Sequence, residues 1–131
     1  MVSRRHLLAS RRRARRVKAA NNDLSAQQWR WLLAAWNHAC AYCGGQYAEL
    51  QKDCVHAISR GGRYTVENVV PACRSCNASK CNAEVTSWMR RKRLDEKRFL
   101  ERWVMIIGSV RDSSDLEDAT LALAAAMIEK R

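Results

Sequence analysis

Two short stretches decide how this chain folds: Cys40-Ala41-Tyr42-Cys43-Gly44-Gly45 and, beyond a gap of 29 residues after Cys43, Cys73-Arg74-Ser75-Cys76. Each is a Cys-x2-Cys pair. The two-residue spacer turns two sulfurs to one side of an ion, so two pairs close a tetrahedron of thiolates around one Zn2+. Four sulfurs saturate zinc and leave no open position, so the reading is a structural site formed by Cys40, Cys43, Cys73 and Cys76. Four unconnected cysteines in a reduced core are the plain alternative. Six cysteines in all could also suggest disulfides in an exported chain. No apolar export signal accompanies them, so reduced thiols holding a metal are preferred.

Working outward, Gln51 to Ile58 reads as a short strand and Ser59 to Arg63, with its paired glycines, as a loop. Val69-Val70-Pro71-Ala72 reads as a second strand, with the proline suited to an edge or a strand end. A helix is expected to start between Cys73 and Asn77. Cys81, late in that helix, is expected to be a small buried residue. Upstream, Ser25 caps a helix whose stripe is Trp29, Leu32, Leu33 and Trp36, which makes packing the better use of these tryptophans than base stacking. Trp31 falls off the stripe. Downstream, Val85, Trp88 and Met89 mark one helix, and Phe99, Leu100, Trp103, Val104 and Ile107 mark another, with Asp95 as the cap between them. A last amphipathic helix is expected over residues 111–131, burying Leu116, Thr120, Leu123 and Met127. The fold class expected is α+β, mostly helical, with a small zinc-stapled ββ-α centre.

The chain has 131 residues with 24 Lys and Arg against 13 Asp and Glu, a net charge of +11 that favours a polyanionic partner. Eight of the basic residues lie within the first 20 positions, where no acidic residue occurs. Residues 1–22 are therefore expected to be a flexible basic arm that contacts phosphates, with a solvated tail as the alternative, followed by a domain over 23–110. No stretch is apolar enough for a membrane span, so no membrane partner and a cytoplasmic location are expected.

Between and beyond the cysteine pairs lie Asp53-Cys54-Val55-His56-Ala57-Ile58-Ser59-Arg60-Gly61-Gly62, then Glu67-Asn68-Val69-Val70-Pro71-Ala72-Cys73, and finally Cys76-Asn77. This order of motifs over roughly residues 40–82 resembles the HNH endonuclease family, in the four-cysteine branch common among phage and bacterial proteins. The resemblance implies a ββα-metal (His-Me finger) centre in a bacterial host or phage-infected cell, with DNA as partner. It also implies phosphodiester hydrolysis to 5′-phosphate and 3′-hydroxyl ends. It assigns Asp53 and Asn77 as oxygen ligands of a catalytic Mg2+ or Mn2+ and Asn68 as the residue that braces the loop.

The sequence departs from the family at two places. Cys54 stands where the family has its general-base histidine, and Ala57 where it has a proline. A thiol is a poor base for this chemistry, since its thiolate prefers soft metals. His56 offers a substitute, because residues two apart on a strand share a face and lie about 7 Å apart. Three outcomes stay open: catalysis through His56, weak catalysis through Cys54, or a noncatalytic zinc-containing DNA-binding or packaging accessory protein. An RNA-binding zinc module has no distinguishing feature. Arg60, Arg63, Arg74 and Lys80 flank the motif as candidate phosphate contacts, with Arg90, Arg91, Lys92 and Arg93 as a second cluster. Gly61 and Gly62 would let the loop approach nucleic acid or simply make a turn. His6 and His38 are read as surface residues.

Overall fold

The computed structural model describes residues 24–111, together with Arg4, Arg11 and Leu123. The basic arm and the helix expected over 111–131 thus lie almost wholly outside the described residues. Leu123 itself is helical and buried, as expected of its place on the apolar stripe.

The order of elements is α1 (Ala26–Ala35), β1 (Gln51–Cys54), a single 3-10 turn (Ile58–Arg60), β2 (Val69–Ala72), α2 (Arg74–Lys80), α3 (Val85–Arg91) and α4 (Glu96–Arg111). The two strands form one antiparallel ribbon with Asp53 opposite Val70 and Cys54 opposite Val69. Among the described residues the fold is therefore α+β and mostly helical, a ββα centre with helices around it.

Local chemistry explains most boundaries. Ser25 caps α1 through its hydroxyl on the Gln28 N–H at 3.0 Å, and the Gln28 side chain returns a bond to the Ser25 N–H at 2.9 Å. This reciprocal pair satisfies two of the N–H groups that a helix start leaves open. Asp95 accepts from the Arg98 N–H at 3.0 Å and opens α4 in the same way. At α3 the Glu84 carboxylate takes the N–H groups of Thr86 and Ser87.

The core is aromatic. Phe99 of α4 stacks on Trp36 at 5.7 Å and on Trp103 at 5.8 Å, and Tyr42 meets Phe99 at 5.1 Å and the edge of Trp88 at 5.2 Å. Two of the indole N–H groups are paired, Trp88 Nε1 with Ser79 Oγ and Trp103 Nε1 with the Glu67 carbonyl, whereas the buried Nε1 of Trp36 has no hydrogen-bond partner among the described residues. Such ring contacts add to the area that these side chains remove from water. The tryptophans of α1 and α4 are packing residues.

Two stripes are rotated from their expected positions. In α1 the buried set is Trp31, Leu32 and Ala35, joined by Trp36 just past the helix end, while Trp29 and Leu33 are only half-buried. In α4 the core face runs through Phe99, Trp103 and Ile106, which leaves Val104 65% exposed on the far side. Cys81 is a further correction. It is exposed, and with φ of +48° it is the residue at which the chain leaves α2 rather than a member of the helix.

Candidate active site

The first cysteine pair is built as a hairpin knuckle and the second as a helix start. Gly44 takes φ of +75°, which returns the chain so that the Gly44 N–H reaches the Cys40 carbonyl at 2.9 Å and the Cys40 N–H reaches the Gly45 carbonyl at 2.9 Å. The Ala41 N–H binds the Pro71 carbonyl at 2.8 Å and ties the knuckle to β2. Arg98 of α4 donates to the Ala41 and Tyr42 carbonyls at 3.2 Å each, a clamp from 56 and 57 residues away that no sequence signal marks. The second pair starts α2: Cys73 is its cap, and its sulfur accepts from the Cys76 N–H at 3.4 Å.

The four Sγ atoms lie within 4.8 Å of one another, with Cys43 and Cys73 at 4.0 Å. Zinc bonds of about 2.3 Å in a tetrahedron require sulfurs about 3.8 Å apart, so the donor set fits that ion in type and spacing. Electrostatics agree. Burial and the neighbouring sulfurs push the Cys76 thiol up, and burial raises Cys40. At Cys43 burial is outweighed by bonds from Tyr47 and the Gly45 N–H, and the thiol falls to about 7. Several thiolates so close together need a cation between them. These four cysteines form a possible metal site.

A second feature is an open cleft of about 550 Å³ between β1, the loop after it and α2. Asp53, Cys54, Arg74 and Asn77 all line it, with Gln51, Tyr64 and Cys81 among their neighbours. The ribbon and α2 thus bring together four of the residues selected from sequence. Asn77 Nδ2 donates to Gln51 Oε1 at 2.8 Å, which spends the nitrogen end of the amide and turns its oxygen into the end a cation could use.

Asp53 is 7% exposed and anchored from behind. The Tyr42 hydroxyl donates to its Oδ2 at 2.5 Å, and the Lys80 ammonium lies 3.1 Å from the same oxygen. Lys80 also donates to the Cys54 carbonyl at 2.9 Å, and its side chain is wholly inaccessible. Burial pushes the Asp53 carboxyl up, opposed by the Lys80 charge and the bond from Tyr42. Burial and the Asp53 charge hold the Tyr42 phenol well above its usual range, so it stays a donor. Lys80 is therefore not a surface residue available to phosphate, because α2 turns its stem into the core and Asp53 receives its head. Tyr42 was legible only as a spacer within a Cys-x2-Cys pair, and no signal there pointed to this role.

Asn68 sits across the ribbon and holds the loop. Its Nδ2 donates to the carbonyls of His56 at 2.9 Å and Arg63 at 2.8 Å, and its Oδ1 accepts from the His56 N–H at 2.9 Å. Gly61 follows the 3-10 turn with φ of +96°. At Gly62 a Cβ would stand 1.8 Å from the His56 carbonyl oxygen. The glycine is needed because the loop packs on its own backbone.

These bonds decide where His56 goes. The strand ends at Cys54 rather than Ile58, so the two-residue alternation that would put His56 beside Cys54 stops short of it. His56 lines a separate, smaller cavity with Arg60, Glu84, Val85 and Trp103, while Cys54 stays in the main cleft. Arg60, Arg63 and Arg74 are exposed, and Arg60 Nε donates to the Asn82 carbonyl at 2.6 Å. In the second basic cluster Arg90 pairs with Glu96 at 2.9 Å, and Arg91, Lys92 and Arg93 are exposed.

Comparison with known proteins agrees with this geometry. Residues 40–83 match the family model described as HNH endonuclease. The CRISPR-associated endonuclease Cas9 of Corynebacterium diphtheriae is 31% identical over 108 residues, which span 75% of this chain and 10% of that protein. The SPbeta prophage-derived protein YoqL of Bacillus subtilis, itself named for an HNH endonuclease, is 25% identical over 118 residues, 79% of this chain and 51% of that one. The chain thus spans from a tenth to about half the length of these relatives. No solved structure matches it. No helix among the described residues is long and apolar enough to cross a membrane. The matched segment contains both cysteine pairs and every cleft residue described above, and residues 40–83 form an HNH endonuclease domain.

Proposed function

We propose that the chain is a metal-dependent DNA endonuclease or nickase whose working cleft lies between β1 and α2 and whose water-activating position is Cys54. The observation that carries this reading is the convergence of Asp53, Cys54, Arg74 and Asn77 on one open cleft.

The residues divide the work. Asp53 and Asn77 offer one carboxylate oxygen and one amide oxygen, a donor set suited to Mg2+ or Mn2+. A divalent ion held there supplies positive charge against the phosphate and the departing oxygen. Arg74, exposed at the rim, pairs with a phosphate oxygen, and Arg60 and Arg63 extend the basic rim along the backbone of the nucleic acid. Asn68 and Gly62 fix the loop that carries Ala57 to Ser59 along the wall. Zn2+ in the four-cysteine site supplies no chemistry; Cys40, Cys43, Cys73 and Cys76 would use it to pin the first knuckle to the start of α2.

His56 has no part in this scheme, since its side of the loop faces another cavity. That leaves the Cys54 thiolate to accept the proton of the attacking water and become the thiol, with the low efficiency expected of cysteine in that role. The same residue favours a second reading, a noncatalytic DNA-binding accessory protein. The test is conversion of supercoiled plasmid to open circles with Mg2+ or Mn2+. The proposal expects slow nicking that is abolished by Asp53→Asn and by Asn77→Ala and is unaffected by His56→Ala. DNA binding without nicking in the wild type establishes the accessory reading, and loss of nicking in His56→Ala overturns the assignment of Cys54.

A further inference from the structure

The charge around the cleft is the reverse of what a free divalent cation requires. One carboxylate, Asp53, lines it, and that carboxylate is already neutralised by the buried Lys80 ammonium at 3.1 Å. Arg74 adds a further positive charge on the lining. Lys52 also lines the cleft, but its ammonium lies over the Trp29 ring, 5.6 Å from the centroid. Even with Cys54 as a thiolate, Arg74 and Lys80 balance Asp53 and Cys54, so the lining carries no net negative charge. Hard divalent ions give up their water reluctantly and rely on one or two carboxylates together with substrate phosphates. Here the protein alone brings no net negative charge to the position. The exposed Arg74 guanidinium attracts a phosphate instead, and a phosphate oxygen is the missing anionic ligand.

On this ground we infer that the cleft loads in a fixed order, with a nucleic-acid phosphate taken first on Arg74 and the divalent cation bound only afterwards. The inference rests on the reading of Asp53 and Asn77 as cation ligands. Lys80 acts in it as a positioning residue. Its ammonium holds Asp53 in place from the core side and suppresses cation binding in the free protein. The phosphate then restores the affinity by adding negative charge where Lys80 had cancelled it. The arrangement keeps the cleft free of hard cations until substrate is present.

The test uses the full zinc-loaded chain in metal-depleted buffer without chelator. Mn2+ is titrated while free Mn2+ is read by electron paramagnetic resonance, with and without a short DNA duplex and with the duplex alone as blank. The order predicts that Mn2+ binds about tenfold or more tightly with the duplex than without it. Lys80→Met, checked for zinc content and near-ultraviolet circular dichroism and titrated on the alkaline side of neutrality to favour the ionised Asp53 carboxyl, should raise Mn2+ affinity in the absence of DNA by about tenfold or more. Arg74→Gln, a change at an exposed side chain, should weaken duplex binding in the absence of Mn2+. Equal Mn2+ affinity with and without duplex in the wild type overturns the inference, and this comparison stands even where Lys80→Met fails to fold. Unchanged Mn2+ affinity in a folded Lys80→Met protein overturns it as well. A chain that loads in this order but never nicks plasmid refutes the nuclease reading alone. A chain that nicks plasmid yet holds Mn2+ tightly without DNA refutes the loading order alone.

Discussion

Replacing Lys80 with methionine isolates the interaction that joins the core to the cleft. The side chain has no accessible surface, and its ammonium serves both the Asp53 carboxylate at 3.1 Å and the Cys54 carbonyl at 2.9 Å. Methionine keeps the volume and removes the charge and the donor. Breaking a buried ion pair by deleting one partner costs about 3 to 5 kcal/mol, because the other charge is left in low dielectric. Tyr42 still donates to Asp53, which places the expected loss at the lower end, about 3 kcal/mol. For a chain of this size that is a fall of roughly 10 °C in the melting temperature. The loss should depend on pH in a definite direction. With Lys80 gone, burial pushes the Asp53 carboxyl up unopposed by a cation, so the folded state holds its proton at pH values where the unfolded chain has released it. Stability then falls as pH rises, and the deficit against wild type should be larger at pH 8 than at pH 5.5. The assay is urea unfolding of zinc-loaded protein at both pH values, taken as the difference between variant and wild type so that the contribution of the metal site cancels. A deficit below about 1 kcal/mol at both pH values refutes the buried pair and with it the anchoring of Asp53.

Further outcomes follow from the same geometry. Gly62→Ala should destabilise the chain by about 3 kcal/mol or more, since its Cβ would meet the His56 carbonyl oxygen at 1.8 Å; thermal unfolding reads this directly. Glu84 caps α3 with a carboxyl lowered to about 2 by its bonds to Thr86 and Ser87, against an ordinary value of 4.5. Its contribution is present above pH 4.5 and is lost as pH falls toward 2, so Glu84→Gln should cost up to about 1 kcal/mol at pH 7 and progressively less in acid, measured by denaturant titration. Removal of the metal by a zinc-selective chelator should unfold the ββα centre cooperatively, seen as loss of near-ultraviolet circular dichroism; retention of that signal in metal-free protein would count against a structural ion.

Local rules read well where local chemistry controls the outcome. The cysteine spacing, the Ser25 cap and the bounds of β2 were all legible because each depends on a few adjacent residues. The departures arise where distant groups intervene. β1 ends at Cys54 because Asn68, from across the ribbon, takes both backbone groups of His56, and alternation along a strand says nothing about where a partner cuts it short. Lys80 looks like a phosphate contact in a basic sequence, yet a long aliphatic stem can be buried when a carboxylate awaits its head, and only the tertiary structure places Asp53 there. The face of α4 turned away from Val104 because the ring of Phe99 stacks on Trp36, at the end of α1 and far away in sequence, as well as on Trp103 one turn along α4. Four cleft residues could thus be named in advance, but not that Tyr42 and Lys80 hold one of them.

The most direct test of the account is the ratio of plasmid-nicking rates between Cys54→His and wild type, with Mn2+ at a fixed pH near 7. An imidazole has an ordinary value near 6.5 and is suited to a step that a well-placed general base accelerates by about 10² to 10⁴. If the cleft is the nuclease centre and Cys54 occupies the base position, Cys54→His should nick at least about 100-fold faster than wild type and lose that gain when Asp53→Asn is added. Equal rates in the two proteins, with DNA binding and folding intact in both, would contradict the assignment of Cys54 to the water-activating position.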